Sequence, residues 1–179
     1  MSIKRHKNSG FTLLELMITL AIAAILSSLA APSFTDMIKD NRMTTQYNEL
    51  LASLSIARSE AIKRGIAVSL CKSNDLATPL CGGNWHDGWF VFVDQDDDGV
   101  FDVGTDELLR ANSALSGGNT LNYGEDRIRY NPDGLALGGF NGTFTLCDDR
   151  GDSDRKGLIV SNTVRARKAI AADALAGCP

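Results

Sequence analysis

The chain has 179 residues, 44% of them hydrophobic, with 18 lysines and arginines against 22 acids and a formal net charge of −4. That length allows one domain with a core of its own. The acidic balance excludes general attraction to nucleic acid, so any such binding must come from a local patch.

Lys4, Arg5 and Lys7 precede Gly10, and Phe11 opens an apolar run to Ala31 whose single charge is Glu15. At about 1.5 Å per residue this run reaches roughly 31 Å as an α-helix, enough to cross a bilayer core. A carboxylate at depth in such a segment costs about 2.5 kcal/mol or more, so Glu15 needs a partner or a function. A secretory signal carries its small cleavage residue after the apolar stretch, whereas Gly10 lies before it, and the helix therefore stays on the mature protein. Without the three leader cations, 15 lysines and arginines face 22 acids and the charge is about −7.

Gly10-Phe11-Thr12-Leu13-Leu14-Glu15 behind a short basic leader resembles the prepilin cleavage motif of type IV pilins and type II secretion pseudopilins. The resemblance implies cleavage between Gly10 and Phe11 by a prepilin peptidase and N-methylation of Phe11. It further implies storage in the inner membrane before assembly into a filament. It gives Glu15 the role of pairing with the N-terminal amine of a neighbouring subunit. The chain thus divides into a leader, 1–10, a transmembrane or filament-core helix, 11–31, and a soluble head, 32–179.

Pro32 kinks the helix or marks its emergence from the membrane. Beyond it, Phe34, Ile38, Tyr47, Leu50, Leu51, Leu54, Ala57 and Ala61 recur at three- and four-residue steps, the signature of an amphipathic continuation. Lys63 and Arg64 followed by Gly65 form a helix stop. Short β-like runs follow at 66–71, 89–93, 107–110, 128–130, 143–147, 158–160 and 164–169, separated by turn signals such as Asn131-Pro132-Asp133-Gly134. A helix followed only by strands predicts an α+β fold, a long N-terminal α-helix packed against a C-terminal antiparallel β-sheet head.

All four cysteines, Cys71, Cys81, Cys147 and Cys178, fall beyond the span, on the side that the basic leader places outside the cytoplasm. An even count in an oxidising compartment reads as two disulfides. Of the three pairings, Cys71–Cys81 with Cys147–Cys178 is preferred, because the first closes a short loop and the second pins the C-terminus. Zinc is disfavoured: no Cys-x-x-Cys pair occurs, and His86 is the single histidine after the leader.

The stretch from Asp94 to Asp102 matches the first half of a calcium loop, with Asp94, Asp96, Asp98 and Asp102 as candidate ligands. The closing bidentate acid of that motif would fall on Thr105, so no resident cofactor is expected. Trp85, Trp89 and Phe90 beside His86 read as core more readily than as a stacking platform. His86 lacks a nucleophile partner and no glycine-rich phosphate loop is present, so the chain reads as a non-enzyme.

From Arg150 to Lys168 six cations face two acids. On a strand, Arg165 and Arg167 share a face about 7 Å apart, near the spacing of phosphates along a nucleic-acid strand, and Lys168 follows. The succession Ala57–Gly65, Gly88–Asp94, an Asp-rich loop, Leu108-Leu109-Arg110 and Tyr130–Gly134 resembles the FimT/GspH branch of minor pilins and pseudopilins. FimT-type pilins of naturally transformable bacteria carry a DNA-binding Gly-Arg-x-Arg element near the C-terminus. Arg165-Ala166-Arg167 matches its two arginines, with Val164 where that element has glycine. The resemblance implies a minor type IV pilin that binds extracellular double-stranded DNA during uptake, through Arg165, Arg167 and Lys168. Its partners would be other pilins, the peptidase and DNA. It would sit in the inner membrane with its head in the periplasm, then in the extracellular pilus. The rival readings are a structural minor pilin that primes assembly and a GspH-like pseudopilin of type II secretion.

Overall fold

The computed structural model describes residues 10–77, 80–136, 141–161, 166–170, 173 and 175–178. Helix α1 runs Leu13–Arg64 and continues through Pro32. The chain forms two compact units, with the boundary between Asp40 and Asn41.

In the first unit the helix carries its apolar side chains outward, Leu14, Leu16, Met17, Leu20, Ile22 and Ile25 among them. By length and composition it is the one helix among the described residues that suits a membrane span. Phe34 and Ile38, expected on the packed face, are 65% and 58% exposed. They belong to the first unit, and the buried face of α1 begins only at Met43 in the second.

In the second unit β1 (Val68–Lys72), β2 (Gly88–Val93), β3 (Glu107–Ser113) and β5 (Arg127–Tyr130) make one sheet in the order β3-β2-β1-β5. β4 (Thr120–Asn122), β6 (Gly142–Cys147), β7 (Lys156–Val160) and β8 (Arg167–Lys168) make a second, in the order β4-β6-β7-β8. Every pairing is antiparallel. The sequence predicted one sheet and missed β4, whose three residues are too few for alternation to register.

Met43, Leu50, Leu54, Ala57 and Ala61 of α1 meet the inward residues of both sheets in one core. β2 is buried at all six positions because both of its faces are covered. Alternate side chains point to opposite faces. Trp89, Val91 and Val93 therefore enter the main core, while Phe90 and Phe92 pack with Phe101 and Cys71 in a second one. Trp85 and Trp89 are both core residues, and their indole N–H groups donate to Glu125 O at 2.8 Å and to Ser53 Oγ at 3.0 Å. The helix stops at Gly65, whose φ of +69° suits a residue without a Cβ. Arg64 in its last turn reaches Glu60 and, across to β3, Glu107.

Disulfides join Cys71 to Cys81 and Cys147 to Cys178. The second ties the C-terminal segment to β6. Asp152 reinforces it by accepting the Cys178 N–H at 2.7 Å and the Arg155 guanidinium at 2.8 Å.

Candidate functional site

The residues expected to serve processing and assembly stand at the helix start. Phe11 is 82% exposed, and the Thr12 hydroxyl caps the helix by accepting the Glu15 N–H at 3.2 Å. Glu15 is exposed on an otherwise apolar turn. The arrangement sets one carboxylate on an exposed apolar surface.

The basic segment behaves differently from its charge count. Arg167 on β8 forks onto Asp173, with guanidinium-to-carboxylate distances of 2.9 and 3.0 Å. That fork, helped by the Ile170 N–H, holds the Asp173 carboxyl down at about 2. Arg150 pairs with Asp148 at 2.7 Å and Asp154 at 3.4 Å, Arg155 pairs with Asp152, and Lys156 donates to Thr44 Oγ1 at 2.6 Å. Lys168 is exposed, and Arg165 and Val164 lie outside the described residues. Asp148 and Asp173 supply the neutralisation that the sequence reading missed, because they flank the window over which the charge was counted.

The Asp-rich loop is built around its own acids. Asp94 is fully buried, its carboxylate accepting the Asp98 N–H at 3.1 Å and the Gly99 N–H at 2.9 Å. Arg129 Nε lies 3.0 Å from the same carboxylate as an ion pair without hydrogen-bond geometry. Burial pushes the Asp94 carboxyl up, against the pull of Arg129. Arg129 also reaches Asp97, Arg127 donates to Gly99 O, and Asp106 accepts the Gln95 and Asp102 N–H groups at 2.9 Å. Of the four expected calcium ligands, Asp96, Asp98 and Asp102 bring carboxylate oxygens within 4.8 Å of one another on the surface, while Asp94 groups with Asp96 and Asp106.

An N-terminal processing motif, one long helix with an exposed apolar start and an antiparallel head define a type IV pilin-like protein. Residues 46–163 match the family described as type II transport protein GspH, and residues 5–31 match the prokaryotic N-terminal methylation motif. The chain belongs to the GspH family. Its fold is shared with the type IV minor pilin FimU of Pseudomonas aeruginosa, 21% identical, with a TM-score of 0.57 over 79% of this chain and 98% of that one. It is shared also with the minor pseudopilin EpsH of the Type 2 Secretion System of Vibrio cholerae, 12% identical, with a TM-score of 0.51 over 74% and 99% of the two chains. Fimbrial protein Q of Moraxella bovis is 46% identical over 47 residues, which span 26% of this chain and only 30% of that relative. The family and the fold are those of structural pilins.

Proposed function

We propose that the chain is a minor subunit of a type IV pilus, cleaved after Gly10 and methylated on Phe11. Its helix anchors it in the inner membrane with the head in the periplasm until it is withdrawn into the filament. The observation that carries this reading is the apolar surface of α1 from Leu13 to Leu26, exposed throughout and interrupted by the single carboxylate of Glu15. Exposed apolar surface on that scale marks a lipid or subunit contact, and a charge inside it calls for a partner cation. Recovery in sheared pili tests the reading. Wild-type chain is expected in the filament fraction and Glu15→Ala in the membrane fraction. Equal recovery of both would overturn it.

A narrower second reading is sequence-independent capture of double-stranded DNA by Arg165, Arg167 and Lys168. It is favoured by the half-exposed Arg167 guanidinium and the exposed Lys168 on the edge strand β8. Because Arg167 must exchange Asp173 for a phosphate, three contacts would give a salt slope no steeper than about −2.7. Gel-shift titration is expected to show tighter binding by Asp173→Asn and weaker binding by Arg167→Gln. Unchanged affinity in both variants would remove the DNA role.

A further inference from the structure

Natural sheets blunt their edges with short strands, charged side chains, proline or a covering element. Three of the four sheet edges in this head follow that rule. β4 has three residues, β8 two, and β5 four, of which Arg127 and Arg129 are charged. β3 departs from it: with seven residues it is the longest strand among the described residues, yet it pairs on one side alone, with β2. Its bulge, opposite Val91 and Phe92, comes early, and from Ala111 to Leu115 the edge holds no charge and no proline.

The ladder fixes which backbone groups are left over. Gly88 O accepts the Ser73 N–H, and the Asp94 N–H donates to Ala67 O, so the even-numbered residues of β2 turn toward β1. Trp89 and Val91 turn the other way, to their partners Asn112 and Arg110 on β3. Ala111 and Ser113 therefore direct their N–H and C=O groups away from the sheet, and both residues are exposed.

Ala111 and Ser113 line a cavity of about 440 Å³, with Ser116 beyond them and Arg42, Thr45 and Glu49 of α1 opposite. Gln46 ties the two walls together, donating to Ser116 O at 3.0 Å and accepting the Asn119 amide at 2.6 Å, so the cavity stands ready before anything enters it. Ser53 Oγ donates to Asn112 Oδ1 at 3.2 Å, and the Arg42 guanidinium lies against Gly117, so α1 and β3 run in opposite directions. Glu49 thus flanks the Ala111 end and Arg42 the Ser116 end. Seven residues apart on one helix, they are separated by about 10 Å along its axis, the reach of three residues of extended chain. Neither has an ion-pair partner among the described residues.

We propose that the free edge of β3 accepts an extended segment of a different protein as a further, antiparallel strand of its sheet. Ala111 and Ser113 supply two N–H donors and two C=O acceptors to the guest backbone, and the flanking charges select its side chains. An antiparallel guest runs in the direction of α1, so it enters with an acidic residue facing Arg42 and leaves with a basic one facing Glu49. That the guest belongs to another kind of subunit rests on the reading of the chain as a minor pilin; the accepting edge does not.

Hydrogen exchange of the full-length chain in detergent, read by mass spectrometry, tests it with the peptide acetyl-Asp-Thr-Val-Thr-Val-Lys-amide as the guest. Exchange at Ala111 and Ser113 should slow with that peptide and stay unchanged with its fully N-methylated form, which cannot donate to the ladder. The peptide with its two charges exchanged should protect about tenfold less, as two exposed ion pairs allow. Arg42→Glu combined with Glu49→Arg should reverse that preference. No slowing at Ala111 and Ser113, equal protection by the N-methylated peptide, or a preference unmoved by the double variant would overturn the strand. Protection that grows with chain concentration in the absence of peptide would give the edge to a second copy and overturn it equally. Recovery in sheared pili separates the two claims: a chain that accepts the peptide but is absent from the filament keeps the edge and loses the pilin reading.

Discussion

Leu20 and Leu54 sit on one helix, yet the first is 61% exposed and the second 1%. Composition does not separate them, since both lie in apolar stretches of good helix formers. What separates them is the covering. The head brings two sheets onto Met43, Leu50, Leu54, Ala57 and Ala61, whereas among the described residues nothing buries the turns from Leu13 to Leu26. The C-terminal half of α1 is thus a folding element, and under the proposed function the N-terminal turns are the assembly element. From Leu13 to Leu26 the single charge is Glu15, and it is exposed.

The sharpest way to break this comparison is to make one change in both halves. Leu54→Ala is expected to lower the stability of the head by about 2–5 kcal/mol, the usual range for emptying a buried leucine site. Leu20→Ala should leave it within about 0.5 kcal/mol. Urea unfolding of the detergent-solubilised chain, followed by tryptophan fluorescence of the buried Trp85 and Trp89, reads both; equal losses would contradict the division of labour.

Replacing Cys147 and Cys178 together by serine is expected to cost about 2–4 kcal/mol in the same assay, since it removes the tie between β6 and the C-terminus. The Arg167–Asp173 pair should respond to acid. Asp173 is held near 2, below its ordinary 3.8, first by Arg167 and then by the Ile170 N–H. A depressed carboxylate contributes stability that is fully present above its ordinary value and lost as pH falls through the folded value. Proteolytic sensitivity of the C-terminal segment, probed with an acid protease, is therefore expected to rise as the pH falls from about 4 to about 2. Asp173→Asn should remove that step. The smallest effect expected is that of calcium. Asp94 is already used by Arg129 and two backbone N–H groups, so added calcium should leave Tm unchanged.

Much of the fold was legible because its signals are long or chemically sharp. The apolar run, the 3.6-residue periodicity from Tyr47 to Ala61, the Gly65 stop and the all-apolar β2 each announce an element. β4 and the division into two sheets were not legible, since a three-residue strand carries no period and sheet membership depends on distant pairings such as Leu121 with Leu146. Phe34 and Ile38 fitted the helix period, but period alone does not say where the covering sheets begin. The charge of the basic segment was legible and its neutralisation was not, because Asp148 and Asp173 join it through folding and not through proximity within the counted window.

Under the proposed function, the apolar half of α1 is freed at Phe11 and reserved for lipid and then for other subunits. Intact-mass and N-terminal sequencing of the chain recovered from the producing cell tests this most directly. The expected product begins with N-methylated Phe11 and retains Glu15 and the whole apolar run. A chain that still begins at Met1, or one cut beyond Ala31, would contradict the account.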